Sequence, residues 1–169
     1  MLSDDRKRKL ATDCFKRGTE AMMKQNWDYT CEMFRQCVNL VPENLLYRQS
    51  LRGATQKKYD NNKTGIKTGA SMACMRMMTI KASIKKSRMS NDWHAVINLC
   101  EDGLAINPWD HALMADLTGA LQMLGFRDVA SWCIDEALKL APDNQQYQRM
   151  WEQLWGDDNS GPAGILIPV

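Results

Sequence analysis

The sequence predicts an all-α protein built as a stack of antiparallel helix hairpins, and two observations indicate this fold class. The first is a motif of small, large and proline residues that recurs along the chain. Pro108 and Pro142 are 34 residues apart, and Pro42 and Pro108 are 66 residues apart, close to two such periods. The second is the helical spacing of apolar residues from Leu10 to Ala21, in the first predicted helix. A period of this length is typical of stacked pairs of helices.

Each copy of the motif places side chains of similar size at the same sequence positions before its proline. A small residue stands twelve positions before, a space-filling residue eight before, and a second small residue five before. In a helix hairpin the small positions lie where two helices cross, since a large side chain there would push the axes apart. The residues at these positions are Thr30, Phe34 and Cys37, then Val96, Cys100 and Gly103, then Ala130, Ile134 and Ala137.

These positions resemble the pattern of the tetratricopeptide repeat (TPR) family over about residues 11 to 144. The family usually has an aromatic residue, a leucine and a glycine early in the first helix of each repeat. Only Gly18 fits in the first repeat and only Leu117 in the last. The resemblance implies a superhelical stack of TPR-like hairpins in a single domain, residues 1–156. Its expected parts are repeats at about 11–44, 45–76, 77–110 and 111–144, a capping helix at 144–155 and a flexible, apolar-ended tail at 157–169.

The second of these repeats is expected to be irregular. Residues from Asp60 to Gly65 form a turn signal where the family places its inner turn, and a run without glycine or proline follows from Ala70 to Met89. We therefore expect a break near 61–69 and then one long helix. The second repeat is either irregular or has lost its second helix. Apolar surface uncovered by such a loss would be covered by another chain, which favours a homodimer.

Capping residues mark the ends of several predicted helices. Asn44, Asp110 and Asn144 each stand two residues after a proline, where a short acceptor side chain can cap free N–H groups. The best-defined helices are expected at 27–40, 92–106, 110–124 and 128–140.

Charge is distributed unevenly along the chain. The net charge of +2 combines +10 over residues 48–90, with eleven Lys and Arg against one acid, and −9 over residues 91–169. Such an asymmetry can steer charged partners, or a second copy of the chain, toward the basic segment.

Composition and motifs argue against several classes of protein. No stretch reaches the ~18 apolar residues of a membrane span, and residues 1–10 lack an apolar signal core. We therefore expect a cytoplasmic protein without membrane insertion. The six cysteines form no Cys-x-x-Cys pair and there are two histidines, which predicts reduced thiols and no metal site. No phosphate-binding loop or nucleophile elbow is present, so we predict no catalytic residues, no cofactor and no enzymatic activity.

Two groups of residues are interpreted structurally at this point. The acidic pair Glu101 and Asp102 is interpreted as a solvated helix face. Four methionines between the predicted break and Met89 are interpreted as core filling, with an adaptable partner surface as the alternative. They are Met72, Met75, Met77 and Met78.

The resemblance implies a protein-interaction module whose concave surface, lined by the first helix of each repeat, holds a peptide or helix of a partner. We expect an acidic or mixed acidic–apolar segment to bind near Lys81, Lys85 and Arg88. In the repeat frame the predicted partner-binding residues are Phe15, Thr19, Met22, Gln49, Gln56, Lys57, Met78, Lys81, Lys85, Arg88, Gln122 and Met123. The alternative is binding of nucleic acid or another anionic polymer through segment 48–90, although Tyr59 is its one aromatic residue for stacking bases.

Overall fold

The computed structural model describes residues 3–66 and 70–155, and within them the chain forms eight helices and no strand. This confirms the prediction of an all-α hairpin fold. The expected tail at 157–169 lies outside the described residues, as do residues 67–69 of the predicted break. In chain order the helices are α1 (Asp4–Met23), α2 (Trp27–Leu40), α3 (Leu45–Lys58), α4 (Ala70–Met89), α5 (Trp93–Ile106), α6 (His111–Met123), α7 (Arg127–Leu140) and α8 (Gln145–Trp155).

Polar side chains begin several helices where the sequence predicts caps. Asn44 accepts a hydrogen bond from the backbone N–H of Tyr47 at 3.1 Å, and Asp110 accepts one from the N–H of Leu113 at 3.0 Å. Asn144 caps α8 in the same way, at 3.0 Å. Each bond satisfies an N–H group that has no partner within the first turn of its helix. Helices α2, α5, α6 and α7 begin and end within one residue of the predicted ranges.

Small residues of the recurring motif lie where helices cross. Gly103 on α5 approaches α6 so closely that an added Cβ would lie 2.4 Å from Cδ1 of Leu113. Gly18 on α1 is not part of the recurring motif, but it meets Phe34 on α2 as closely, since an added Cβ would lie 2.5 Å from Cε1. Larger side chains would separate these axes, because protein interiors are packed to crystal density. The other positions of the motif are buried: Thr30, Phe34, Cys37, Val96, Cys100, Ala130, Ile134 and Ala137.

The second repeat has no second helix in the part of the chain that the structure describes. Residues 59–66 after α3 form turns and irregular backbone, and the next described helix is α4. Both alternatives that the sequence leaves open, an irregular repeat and the loss of its second helix, stay predictions. Helices α3 and α4 do not form a packed pair, whereas every other pair of described helices adjacent in the chain does.

The segment after α3 is held against the C-terminal end of α5. The Tyr59 hydroxyl donates to the carbonyl of Ala105 at 2.6 Å, and the N–H of Ile66 donates to the carbonyl of Ile106 at 3.1 Å. Between them Gly65 has φ +77°, and an added Cβ would lie 2.2 Å from the Ile106 oxygen. Glycine is therefore required at this contact.

A seam joins helices α1–α3 to helices α4–α8, and buried charges lie in it. Arg48 and Arg52 of α3 both bind Glu101 of α5, with 3.3 Å between Arg52 Nη2 and Glu101 Oε2. All three side chains are buried. Beside them Arg35 of α2 binds Asp102 at 2.9 Å. This charge cluster links α2 and α3 to α5 across the seam.

The interpretation of Glu101 as a solvated acid is therefore wrong. Its side chain is 2% exposed, whereas the neighbouring Asp102 side chain is 48% exposed. Burial by itself would raise the pKa of Glu101, but the guanidinium groups of Arg52 and Arg48 hold that pKa below its ordinary value. The carboxylate is thus ionised in the interior because two cations accompany it.

Candidate functional site

A groove between α4 and α6 brings together the basic residues for which the sequence predicts a binding role. Lys81, Lys85 and Arg88 follow one another at spacings of four and three residues, so they share one side of α4. They line a cleft of about 530 Å3. Ile84, Met89 and Asp116 complete its lining. The cleft therefore combines apolar surface with charges of both signs.

Acidic residues of α6 face this basic side of α4, which the sequence analysis did not anticipate. The ammonium group of Lys81 lies 2.8 Å from Oδ2 of Asp110, and Nη1 of Arg88 lies 2.6 Å from Oδ1 of Asp116. Asp110 thus both caps α6 and pairs with α4. Its position as a cap was visible in the sequence, whereas its contact with Lys81, 29 residues away, depends on the packing of the helices.

These ion pairs leave the groove only partly neutralised. The side chains of Lys81 and Arg88 are 46% and 56% exposed, so each cation can still meet a second carboxylate. Burial raises the pKa of Asp116, although the nearby Arg88 guanidinium opposes that rise. Within residues 3–66 and 70–155, Lys85 forms no ion pair, which leaves its charge available to a ligand.

The predicted binding residues of the first two repeats lie in the other part of the molecule. Phe15 is half-buried between Phe34 and Tyr47, with both ring centroids at 5.2 Å, and the hydroxyl of Thr19 donates to the carbonyl of Phe15. Met22 is exposed on α1. On α3 the side chains of Gln49 and Lys57 are exposed and that of Gln56 is half-buried.

Only some of the predicted site is therefore gathered in one place. Because α3 does not pack against α4, the residues of α3 do not extend the groove between α4 and α6. Gln122 and Met123 are exposed at the C-terminal end of α6, and Met78 is exposed on α4, but the lining of the cleft does not include them. The binding roles of all these residues stay predictions.

The structure corrects the interpretation of the methionines on α4. Met77 is half-buried against the main core, as core filling requires. Met72, Met75 and Met78, in contrast, are exposed, so the interpretation is wrong for these three. They form an apolar surface of flexible side chains on the outside of the helix.

The basic segment 48–90 is less available than its sequence implies. Five of its eleven cations bind acids of the same chain: Arg48, Arg52, Lys58, Lys81 and Arg88. Lys67 lies outside the described residues. Nucleic-acid binding through this segment stays a prediction, with fewer cations to neutralise phosphates.

A second cleft, of about 390 Å3, lies at the seam between α2, α3 and α5. Its lining includes Arg35 and Arg52, whose charges are already matched by Asp102 and Glu101. The cleft thus offers less electrostatic attraction to a ligand than the groove between α4 and α6.

The six cysteines are free thiols. Burial raises the pKa of Cys37 to about 12 and that of Cys133 to about 12, so neither is a thiolate near neutral pH. Within the described ranges no group of three or more His, Cys, Asp and Glu side chains is arranged to hold a metal ion. A search of the same ranges for a helix with the length and apolar character of a membrane span finds none.

No protein-family model matches this chain, and no curated protein matches it. Solved structures similar to it include the first TPR of Spaghetti (RPAP3) bound to an HSP90 peptide, at 11% identity and a TM-score of 0.41, covering 89% of this chain and 94% of that one. The Arabidopsis OM64 TPR domain has 13% identity and a TM-score of 0.37, covering 89% and 98%. The C-terminal TPR-containing domain of a Plasmodium falciparum FK506-binding protein has 14% identity and a TM-score of 0.43, covering 92% and 93%.

Similarity at this level carries no information about the partner of this chain. The fold is instead evident from the helices themselves, because consecutive described helices pack as pairs except for α3 with α4, and the recurring small residues are buried. In its described residues the chain is a stack of antiparallel helix hairpins, with turns and irregular backbone rather than a helix at residues 59–66 after α3.

Proposed function

We propose that this chain is a non-catalytic protein–protein interaction module that binds an acidic or mixed acidic–apolar segment of a partner in the groove between α4 and α6. The observation that supports it is the convergence of Lys81, Lys85 and Arg88 with Ile84 and Met89 around one open cleft. Three cations around one open cleft match the carboxylates of an acidic segment, and complementary charges of this kind favour specific binding.

Lys85 anchors the segment in this proposal. It binds a carboxylate of the partner directly, while the half-exposed Lys81 and Arg88 share their charges between the partner and the acids of α6. Exposed pairs of this kind contribute only about 0.2–1 kcal/mol each and are screened by salt. Apolar contact with Met89, which is 80% exposed, therefore contributes the rest of the affinity, and the charges select an acidic partner over a basic one.

Lys85→Glu is the change that tests this function. Reversal of Lys81 or Arg88 would place like charges beside Asp110 or Asp116 and would disturb the fold as well as the groove. We expect Lys85→Glu to weaken binding of a partner segment about tenfold and to reduce its dependence on salt, since Lys81 and Arg88 remain. The partner is first identified by affinity capture with the full chain, and the affinity of its binding segment is then measured by calorimetry at several salt concentrations.

Lys16→Glu is the matched control, since Lys16 is an exposed lysine of α1, away from the groove. It makes the same change in net charge. Equal loss of affinity in both variants would show a general effect of net charge and would contradict a site in the groove. Retention of full affinity by Lys85→Glu would also contradict it.

A further inference from the structure

Helices α1–α3 and helices α4–α8 have separate apolar cores. The main cluster takes its buried residues from the second group, between Ile80 and Leu154, and from the first group the half-buried Leu45 packs against it. Because apolar burial is the main stabilising contribution to a fold, each group holds its own helices together. The core of the first group includes four buried residues: Phe34, Val38, Leu51 and Ala54.

Buried charges lie between the two groups. Glu101 of α5 binds Arg48 and Arg52 of α3, and all three side chains are at most 4% exposed. Two cations thus share one carboxylate, and Nε of Arg48 has no hydrogen-bond partner among the described residues. An open cleft of about 390 Å3 reaches Arg52 and Glu101. The seam therefore depends on the charge of Glu101 as well as on the packing of α3 against α7.

Other polar contacts across the seam lie at its edge. Nη2 of Arg35 donates to Oδ1 of Asp102 at 2.9 Å and to the carbonyl of Asn98 at 3.0 Å. The Tyr59 hydroxyl donates to the carbonyl of Ala105 at 2.6 Å. These groups are partly exposed, so water can replace the contacts at little cost.

Loss of the Glu101 charge makes the closed seam unfavourable. It leaves two guanidinium groups buried without an anion, and an uncompensated buried charge is strongly destabilising. Separation of the two groups returns Arg48 and Arg52 to water and leaves both apolar cores intact. Opening of the seam therefore costs less than unfolding of the whole chain.

The segment after α3 has a bend at which the two groups can turn. Asp60 and Asn61 have φ of 51° and 52°, and their N–H groups donate to carbonyls at the end of α3. Beyond them the Asn62 side chain accepts a hydrogen bond from the N–H of Gly65 at 2.7 Å, and Gly65 lies against Ile106 of α5. The chain on one side of the bend is thus attached to α3 and that on the other side to α5.

We propose that the seam is a hinge: α1–α3 and α4–α8 separate as two intact bodies when Glu101 loses its charge, and the chain turns between Asn61 and Asn62. In the closed form the seam is held by Glu101, and in the open form Arg48 and Arg52 are hydrated. This is a conformational change within the chain, and it differs from the binding proposed for the groove between α4 and α6.

Acid is the condition that opens the hinge. The ionisable groups near Glu101 are three cations and two thiols: Arg35 on α2, Arg48 and Arg52 on α3, Cys100 on α5 and Cys133 on α7. Burial raises the pKa of both thiols, so they stay neutral as the pH falls. The guanidinium groups hold the pKa of Glu101 below 4.5, so the seam is closed above pH 4.5 and opens as the pH falls through that lowered value.

Glu101→Gln tests the hinge at pH 7, because it removes the charge and keeps the shape of the side chain. Small-angle X-ray scattering of the full chain should show a radius of gyration a few Å larger than that of the wild type. It should stay well below the ~43 Å of an unfolded chain of 169 residues. Circular dichroism should show unchanged helix content, since both bodies keep their helices.

Glu136→Gln is the matched control. It makes the same change on α7, where Glu136 pairs with Lys139 of the same helix, inside one body. Its radius of gyration should equal that of the wild type. A compact Glu101→Gln variant, or one that expands and loses helix content together, would overturn the proposal.

A second variant replaces the charge cluster by apolar side chains of similar length: Arg48→Met, Arg52→Met and Glu101→Met. Replacement of all members of a buried ion cluster is often neutral or stabilising, so this variant should be compact at pH 7 and at pH 3, whereas the wild type should expand at pH 3. Expansion of the triple variant at either pH would overturn the role of Glu101. The groove between α4 and α6 lies inside one body, so either result leaves the proposed function standing.

Discussion

Helices α3 and α4 are consecutive described helices that do not pack as a pair, and they differ in how far their surfaces are covered. Helix α3 is covered: Leu51 and Ala54 are buried, and Arg48 and Arg52 reach across to Glu101 of α5. Helix α4 keeps its outward face in solvent, with Met75 and Met78 exposed. The comparison shows that, where two consecutive helices do not pack together, other parts of the chain can cover the first helix, α3, while the outward face of the second, α4, stays exposed.

The two outcomes follow from the side chains available on each helix. Long arginines of α3 extend to an acid on α5 and remain hydrogen-bonded when buried; Arg48, for example, also donates to the carbonyl of Pro42 at 3.2 Å. Helix α4 has no acidic residue, and its outward methionines have no described helix to meet. The covered side, at α3, therefore contributes buried contacts to stability, whereas the outward side of α4 is exposed to solvent.

Glu101→Gln is the change with the largest expected effect on this comparison. It leaves two buried guanidinium groups without their carboxylate, and breaking a buried pair in this way costs about 3–5 kcal/mol. Asp102→Asn, at the adjacent and half-exposed pair with Arg35, should cost less than about 1 kcal/mol. Urea unfolding of both variants measures the difference. Similar losses in the two would mean that the buried cluster does not hold α3 in place.

Tryptophan substitutions should distinguish the packed hairpins from the exposed side of α4, with smaller effects on stability than Glu101→Gln. Ala130 is fully buried where helices cross, so Ala130→Trp should destabilise by about 1–3 kcal/mol through overpacking, and Ala137→Trp likewise. Ala82 is exposed on α4, as are Met75 and Met78, and Ala82→Trp should change the free energy of unfolding by no more than about 0.5 kcal/mol. Thermal unfolding checks all three. Equal losses at Ala82 and Ala130 would contradict an exposed side of α4 at Ala82.

Acid pH weakens the covered side through Glu101. Its pKa in the folded chain lies below the ordinary value of 4.5, so the folded state favours the ionised form. The resulting stability is fully present above pH 4.5 and is lost as the pH falls through the lowered folded pKa. One proton changes the free energy of unfolding by at most about 1.4 kcal/mol per pH unit. Urea unfolding at pH 6, 4 and 3 should therefore show a shrinking difference between wild type and Glu101→Gln, and a constant difference would contradict this role.

Local patterns in the sequence were sufficient for the regular part of the fold. The spacing of small residues before each proline predicted which side chains lie at helix crossings, and caps such as Asn44 and Asp110 predicted where helices begin. Both signals act within one or two turns of backbone, so they can be interpreted without knowledge of distant residues. The interval between α3 and α4 was also visible, as a cluster of turn residues around Gly65.

The grouping of Lys81, Lys85 and Arg88 on one side of α4 was likewise determined by helical spacing alone. Tertiary structure decided what surrounds them: Asp110 and Asp116 reach the groove only because α6 packs beside α4.

The same is true at the seam. Glu101 resembles any exposed acid in the sequence, and 53 residues separate it from Arg48 in the chain. Whether an acid is solvated or buried depends on the element that covers it, and for α5 that element is α3 rather than a neighbour in sequence. The exposed methionines of α4 show the opposite outcome. Their helical spacing fits a core, but they are exposed because no described helix covers them. Sequence periodicity thus determined the helices and their faces, while packing between distant segments decided which of those faces are buried.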